Sequence, residues 1–219
     1  MNKALSTMLQ TDLNISGSGR TDTGVHCKQQ FFHVDFESVL TEEDLRYKAN
    51  AILPFDISIN SVRKVKNESH ARFDAISRSY EYHINTVKDP FARDLSYYFS
   101  NKLNIENMNA AAALLLGEKR DYESFSRVKT EVNNFECSIS KAYWESTGDK
   151  LVFHITSNRF LRGMVRAIVG TLLDVGLGRR SIEDLNTILL NKNRRDAGRA
   201  APAHGLYLTQ VIYPENIYL

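Results

Sequence analysis

Cysteine is scarce in this 219-residue chain, and the usual signatures of metal sites are missing. Only Cys27 and Cys137 are present, and no signal peptide or long apolar run precedes or separates them. We therefore expect two free thiols, no membrane-spanning segment and a cytoplasmic location. The two cysteines and six histidines form no CxxC, HxxxH or HExxH pair, so we expect no structural or catalytic metal.

The motifs that hold a nucleotide or a hydrolase nucleophile are also missing. In the glycine-rich stretch SGSGRTDTGVHC, Asp22 takes the sixth position of a GxGxxG frame and no GK[ST] follows, so we expect no nucleotide cofactor. There is no GxSxG, and His26 lies only four residues from Asp22, which argues against a serine hydrolase. A glycoside hydrolase would need a second loop carboxylate in a comparable setting, and the chain has none.

Basic residues are clustered, although the formal net charge of +2 says little about partners. The clusters lie at residues 159–166, 179–180 and 192–199. Local positive charge of this kind attracts a polyanion, so these segments are candidate contacts with one.

The hydrophobic pattern predicts an α+β protein, in a chain whose 42% hydrophobic and 25% charged residues are ordinary for a soluble globular protein. Helices are predicted over MNKALSTMLQ, TEEDLRYKANAIL with Thr41 as N-cap, residues 104–117, residues 159–175 and residues 181–190. Strands are predicted at residues 14–18 and in KQQFFHVDF, ISINSVRKV, RFDAISRSYEYHINT, FECSISKAYWEST, KLVFHITSN and GLYLTQVIY. With a linker near residues 87–103, the pattern indicates two α+β lobes, 1–90 and 91–219.

Asp22 has two interpretations from the sequence alone. A lone loop Asp most often forms an Asx turn or a cap, and Gly17 and Gly19 suit a tight turn. That interpretation does not explain why Arg20 shares the loop. The second interpretation is a catalytic carboxylate.

The stretch NRFLRGMVRAIVGTLLDVG favours the catalytic interpretation. As a helix it would be apolar over most of its surface, with Arg159, Arg162 and Arg166 along the remaining edge. A solvated basic strip is the commoner fate of such residues. Arg166, however, would lie deepest, and a buried guanidinium needs a carboxylate partner. We therefore expect Arg166 to face Asp22 and to keep it ionised, as a nucleophile requires.

Tyr80 also has two interpretations. The alternation in RSYEYHI places Tyr80, Tyr82 and Ile84 on one face of a strand, so Tyr80 could be a half-buried sheet aromatic. Alternatively, its ring could be the platform on which a splayed-out base stacks.

Four separated motifs, which span nearly the whole chain, resemble those of the tRNA pseudouridine synthase A family. They are GRTDTGVHC, HARFDAISRSYEYHI, FLRGMVRAIVG and RAAPAHGLYLTQVIYP, in that order. The resemblance implies a pseudouridine synthase fold, with two lobes of antiparallel sheet flanked by helices around a central cleft, in a homodimer. It also implies conversion of uridine to pseudouridine at positions 38–40 of the tRNA anticodon stem-loop, without cofactor or metal.

The resemblance also implies roles for single residues. Asp22 would be the nucleophile, and Arg20 would help to extrude and hold the nucleotide. Tyr80 would stack on the target uracil and is a candidate to take its C5 proton, while Arg166 would pair with Asp22. We further expect phosphate contacts from the basic clusters, at Arg159, Arg162, Arg179 and Arg180 and in the segment 192–199.

A strand and a loop similar to YDGTxFxGWQ are also implied ahead of the first helix. This sequence begins inside that helix, so either the sequence is a shortened form or the protein works with an exposed edge in the first sheet. The alternative function is therefore a catalytically weak tRNA-binding or RNA-folding protein that lost its rate with the first strand. Release of tritium from uracil C5 distinguishes an enzyme from such a binding protein.

Overall fold

The computed structural model describes residues 1–37, 39–128, 132 and 134–219. The described residues form five helices: α1 (Asn2–Leu9), α2 (Glu42–Ile52), α3 (Ile105–Ala113), α4 (Met164–Gly176) and α5 (Asp184–Asn191). They form nine strands: β1 (Ser16–Gly17), β2 (His26–Cys27), β3 (Phe32–His33), β4 (Ser77–Asn85), β5 (Tyr97–Tyr98), β6 (Gly117–Asp121), β7 (Glu136–Thr147), β8 (Lys150–Ser157) and β9 (Leu206–Ile212). These elements confirm the expected α+β class.

The chain divides into two compact units, each built from more than one segment. The first unit comprises Met1–Arg20, Gln30–Ile76 and Tyr213–Leu219, and the second comprises Thr21–Gln29 and Ser77–Ile212. Strand β4 precedes residue 90, yet it pairs with β8 and β9, which follow that residue. The units thus have bounds of their own, and the lobes expected at residues 1–90 and 91–219 stay a prediction.

The first unit contains α1, α2 and the short pair β1–β3. Helix α2 begins where the sequence predicts, because Thr41 and Asp44 form a reciprocal capping box: the Thr41 hydroxyl accepts from the Asp44 N–H at 3.1 Å, and the Asp44 carboxylate accepts from the Thr41 N–H. The core of this unit is small and includes Leu5, Leu13 and Ala49.

Two predicted strands of this unit are wrong in extent. Strand β3 occupies only two residues of KQQFFHVDF, because its partner β1 is equally short. Residues 57–65, predicted as a strand, contribute only an isolated bridge between Val65 and Tyr218. The backbone groups of Ile59 instead pair with the Asn50 side chain of α2, at 2.7 and 2.9 Å, and this pairing replaces a strand partner.

The second unit is built on a seven-stranded sheet in the order β2-β9-β4-β8-β7-β6, with β5 also paired to β4. The pairs among β9, β4, β8, β7 and β6 are antiparallel, whereas β2–β9 and β4–β5 are parallel. The predicted hairpin β7–β8 is confirmed, and Gly148 at φ 59° makes its turn. Tyr82 and Ile84 point into the core, as the alternation predicts.

Helix α4 is almost entirely buried in this unit, but it is shorter than predicted. It begins at Met164 because Gly163, at φ 72°, takes a left-handed conformation that a continuous helix excludes. Arg159 and Arg162 therefore do not lie on one helix edge with Arg166, which corrects that expectation. Among the helices described, none is both long enough and apolar enough to cross a membrane.

The other helix ends also differ slightly from the sequence pattern. Helix α3 starts after Asn104, whose side chain caps it, and ends at Ala113; Gly117, expected to end that helix, instead begins strand β6, which the pattern misses. Helix α5 starts at Asp184 rather than Ser181, whose hydroxyl accepts a hydrogen bond from the Asp184 N–H.

Candidate active site

The loop that carries Asp22 is turned by glycine and fastened to the sheet of the second unit. Gly24 takes φ 85°, and the Val25 N–H donates to the Asp22 carbonyl at 3.1 Å. Strand β2 follows at once and pairs with β9, with His26 opposite Tyr207. The turn and the parallel pairing together fix the position of the Asp22 backbone.

Asp22 and Arg166 form an ion pair within the second unit. The Arg166 Nη1 group donates to Asp22 Oδ2 at 2.7 Å, and the side chains of Arg166 and Asp22 are 22% and 26% exposed, respectively. The expected contact is therefore confirmed. A charge-assisted hydrogen bond of this length fixes the direction of the Asp22 carboxylate.

A second anchor holds the same guanidinium. The Arg166 Nε group donates to the Ala201 carbonyl at 2.6 Å, while the Ala201 N–H donates to the Arg166 carbonyl at 2.9 Å. Because the guanidinium is planar, donors fixed on two sides restrict its rotation. The direction of Nη1 toward Asp22 is thus set by the backbone of the segment that contains Ala201.

Tyr80 lies on β4, in register with Leu208 of β9, and Leu208 is in turn in register with Cys27 of β2. Adjacent residues in register point to the same face of a sheet, so the side chains of Tyr80 and Cys27 lie on the same face. Cys27 belongs to β2, the strand that follows the Asp22 loop. Burial raises the pKa of Tyr80 to about 12, and the nearby Cys27 acts in the same direction. The phenol is therefore neutral near pH 7 and able to donate a hydrogen bond.

Phe160 is a residue of this site that the sequence analysis counted only as part of an apolar helix face. Its ring contacts the Tyr80 ring edge to face, with 5.1 Å between the centroids and 88° between the planes. It lies in the segment between β8 and α4. This segment is fixed at one end, because Asn158 Oδ1 accepts from the N–H groups of Ser138 and Arg159 at 2.8 Å. The one signal in the sequence that Phe160 lies outside the helix was Gly163, after which α4 begins.

Arg20 and the arginines of the basic clusters other than Arg166 are not part of the ion pair between Asp22 and Arg166. Arg20 is exposed and ends the first segment of the first unit. Arg162 is exposed, and Arg159 Nη1 donates to Asn134 Oδ1 at 3.3 Å. Arg179 and Arg180 both lie near Asp174, at 3.7 and 3.6 Å. Their roles toward RNA stay predictions.

Cys27 is exposed, Cys137 is buried and both thiols are free, as expected. Burial raises the pKa of Cys137 to about 11. Over the described part of the chain, no three His, Cys, Asp or Glu side chains are grouped so that they could hold a metal ion.

Comparison with known proteins identifies the family of this chain. The sequence model of the tRNA pseudouridine synthase family matches residues 111–214. A protein of Bacteroides thetaiotaomicron called tRNA pseudouridine synthase A is 45% identical over 219 residues, which cover 99% of this chain and 81% of the relative. Its namesake in Bacillus subtilis is 40% identical over 217 residues, 97% of this chain and 87% of the relative. The chain belongs to the tRNA pseudouridine synthase A family.

Membership of the tRNA pseudouridine synthase A family confirms the resemblance drawn from four motifs. Parts of three of those motifs lie together in the second unit: the loop of Asp22, the strand of Tyr80 and the helix of Arg166. The fourth motif contains Ala201, whose carbonyl bonds Arg166. The members of this family are isomerases.

Proposed function

We propose that the protein converts uridine to pseudouridine at positions 38–40 of the tRNA anticodon stem-loop, with Asp22 as the nucleophile and without metal or cofactor. The observation that carries this proposal is the ion pair between Asp22 and Arg166, in a chain of the tRNA pseudouridine synthase A family. Family membership also favours an enzyme over a protein that only binds or folds RNA.

The reaction is an isomerisation, so no atom is gained or lost. The bond between ribose C1′ and uracil N1 breaks, the detached uracil turns in the site, and C5 bonds to C1′. The proton on C5 leaves to a base, and N1 gains a proton. Asp22 supplies the carboxylate electron pair that assists cleavage of the first bond. The uracil must remain bound while it turns, and water must be kept from C1′.

The neighbours of Asp22 suit these requirements. Arg166 directs the carboxylate, because it donates to Asp22 from one side while the Ala201 carbonyl accepts from its other side. Tyr80 offers an aromatic ring on which a flipped uracil can stack, and stacking offsets part of the cost of removing the base from the helix. Because the Tyr80 phenol is neutral, it can receive the C5 proton only after it has first given up its own.

The RNA contacts and the assembly are further parts of the proposal. Arg20 would hold the extruded nucleotide, and exposed arginines at positions 162 and 179 would contact phosphates. We also infer a homodimer from the family resemblance. Light scattering during size-exclusion chromatography measures the mass in solution, and a monomer at micromolar concentration would contradict this part.

A single-turnover experiment tests the proposed activity. The purified protein is mixed in excess with an anticodon stem-loop labelled with tritium at uracil C5 of one chosen position, and tritium release is followed. We expect release from positions 38, 39 or 40 and none from a uridine in the loop outside them. Binding without release from any position would favour the RNA-binding alternative.

The Asp22→Asn variant tests the nucleophile in the same assay. It keeps the shape of the side chain and an oxygen for Arg166, but it loses the charge. We expect RNA binding without tritium release. Asp149→Asn, in the exposed turn between β7 and β8, is the matched control and should keep the wild-type rate. Turnover by Asp22→Asn would refute the role of Asp22.

A further inference from the structure

The segment at residues 197–205, AGRAAPAHG, contacts the elements that carry Asp22, Tyr80 and Arg166. We call this segment the strap. It contains all of RAAPAHG, the start of the fourth family motif, of which the proposed function uses only Ala201. It has contacts with α4, with β4 and with the Asp22 loop.

The contact with α4 begins at the first turn of the helix. Ala201 and Arg166 are joined by two hydrogen bonds, from Arg166 Nε to the Ala201 carbonyl and from the Ala201 N–H to the Arg166 carbonyl. Ala201 is buried, with 4% exposure. Water therefore cannot easily replace the Ala201 carbonyl as the acceptor for Arg166 Nε.

The contact continues one turn further along α4, where helix and strap meet backbone to backbone. A Cβ atom on Gly170 would lie only 1.7 Å from the Arg199 carbonyl oxygen. Next to it, the buried Thr171 hydroxyl accepts from the Gly198 N–H at 2.8 Å and donates to the Ala167 carbonyl at 2.8 Å. The strap is thus fixed on the helix by a close approach that only glycine permits and by one buried hydroxyl.

The strap also contacts β4 and the Asp22 loop. The Tyr82 hydroxyl donates to the Pro202 carbonyl at 2.8 Å, and Tyr82 is two residues from Tyr80 on the same strand. At the loop, Gly24 faces Ala203, and a Cβ atom on Gly24 would lie 3.4 Å from the Ala203 Cβ. The strap therefore contacts the loop that carries Asp22, the strand that carries Tyr80 and the helix that carries Arg166.

We propose that the strap is a positioning element of the reaction. It holds Arg166 through the Ala201 carbonyl so that Nη1 points at Asp22, and it keeps the Asp22 loop and β4 at a fixed separation. This inference rests on the proposed function, because it assigns the strap a part in that reaction. Catalytic groups must be held to within a fraction of an ångström, and a shift of about 1 Å can lower a rate about a hundredfold.

Two substitutions in α4 loosen the strap without altering any group that touches the substrate. Gly170→Ala forces the Arg199 carbonyl away from the helix. Thr171→Val keeps the side-chain shape but removes the acceptor for the Gly198 N–H. Each has a matched control. Gly176→Ala, in the last turn of α4, meets the side chains of Met108 and Leu103 instead of the strap, and Thr171→Ser restores the hydroxyl.

Kinetics and stability together separate positioning from a purely structural role. We expect Gly170→Ala and Thr171→Val to lower the single-turnover rate constant about tenfold to a hundredfold, with unchanged RNA affinity and a fully folded protein at the assay temperature. Gly176→Ala and Thr171→Ser should keep the wild-type rate, even where thermal unfolding shows lower stability. If Gly170→Ala does not fold, Thr171→Val decides. A folded Thr171→Val protein with the wild-type rate would overturn the proposal.

A spectroscopic measurement tests the strap independently of turnover. In a proton–nitrogen NMR spectrum, the Nε–H signal of Arg166 is assigned by its loss in Arg166→Lys, and its exchange with water is measured. We expect slow exchange in the wild type, and exchange at least about tenfold faster in Thr171→Val, because the bond to Ala201 is weakened. Equal exchange rates would overturn the proposal. If the wild type releases no tritium, the proposed function fails, and the exchange rates still decide whether the strap holds Arg166.

Discussion

Arg166 and Asp22 are separated by 144 positions in the sequence, and their side chains meet at 2.7 Å between Nη1 and Oδ2. Each side chain keeps about a quarter of its surface exposed, so the ion pair is neither fully buried nor fully exposed to solvent. The Coulombic attraction is therefore only partly screened by water, and removal of one partner leaves a charge that water can solvate in part.

Arg166→Met should abolish tritium release and lower the free energy of unfolding by roughly 1 to 3 kcal/mol, because Asp22 loses its partner. Asp22→Asn should lower it less, since the amide oxygen still accepts from Arg166. Urea unfolding measures both. Arg179→Met is the control: its side chain is 67% exposed and 3.7 Å from Asp174, so a change below about 0.5 kcal/mol is expected. Equal losses for Arg166→Met and Arg179→Met would contradict a partly buried pair.

Tyr80 predicts a loss of stability at alkaline pH. Its pKa is about 12 in the folded protein, against 10.0 for an unperturbed tyrosine, because burial disfavours the phenolate. Between these values the unfolded chain releases the proton and the folded protein keeps it, so the free energy of unfolding falls as pH rises. Below pH 10 both states are protonated and the contribution is complete.

The variant Tyr80→Phe isolates this contribution. Over the same alkaline range the wild type should lose roughly 2 kcal/mol more stability than Tyr80→Phe. Tyr122 and Cys137 also have raised pKa values through burial, but they are common to both proteins and cancel in the difference. Urea unfolding of the two proteins across this range is the measurement. Parallel stability curves would show that Tyr80 titrates as an exposed phenol.

Phe160→Leu should slow the reaction without weakening RNA binding, because the variant lacks the aromatic edge that orients the Tyr80 ring. Such an edge-to-face pair is worth about 0.5 to 1.5 kcal/mol, which corresponds to about a twofold to tenfold decrease in the single-turnover rate constant. Phe160→Tyr keeps a ring and should restore the rate. Phe99→Leu, whose ring contacts Tyr97 instead, is the control. A wild-type rate for Phe160→Leu would show that Tyr80 is oriented by other neighbours.

The pair Arg179 and Arg180 should contribute to the salt dependence of tRNA binding. Replacing both by Ala should reduce the slope of log affinity against log salt by roughly 0.7 to 0.9 for each phosphate that these arginines neutralise. Filter binding at several salt concentrations measures the slope. The double variant Lys102→Ala, Lys150→Ala removes the same charge at exposed positions outside the basic clusters. If both double variants change the slope equally, the effect comes from net charge and not from Arg179 and Arg180 at the phosphates.

The elements with strong local signals could be predicted from the sequence. Helix α2 carries its own capping box at Thr41, and burial confirms the alternation over all of β8 and, on both sides of an irregularity, in β7. In β4 the alternation is seen only at Tyr82 and Ile84. The partnership of Asp22 and Arg166 was also predictable, because a guanidinium in an apolar segment needs a carboxylate and few were available outside helix surfaces.

The remaining features depend on tertiary contacts that no local pattern records. The start of α4 was misplaced because the apolar period continues through Phe160, while the backbone turns at Gly163. The predicted strand at residues 57–65 was wrong because Asn50 of α2 supplies its hydrogen bonds. The hydrogen bond from Arg166 to the Ala201 carbonyl could not be predicted, since a backbone carbonyl has no signature in the sequence.

The parallel pairing of β2 with β9 has a consequence for biosynthesis. In the sheet, β9 lies between β2 and β4, so β2 can join only after the final strand, Leu206–Ile212, has left the ribosome. The hairpin β7–β8 and its contact with β4 need no later segment and can form during translation. Asp22 is synthesised long before β9, yet its loop can be fastened to the sheet only after β9 has formed. A nascent or truncated chain that lacks β9 therefore leaves the Asp22 loop without its pairing partner in the sheet.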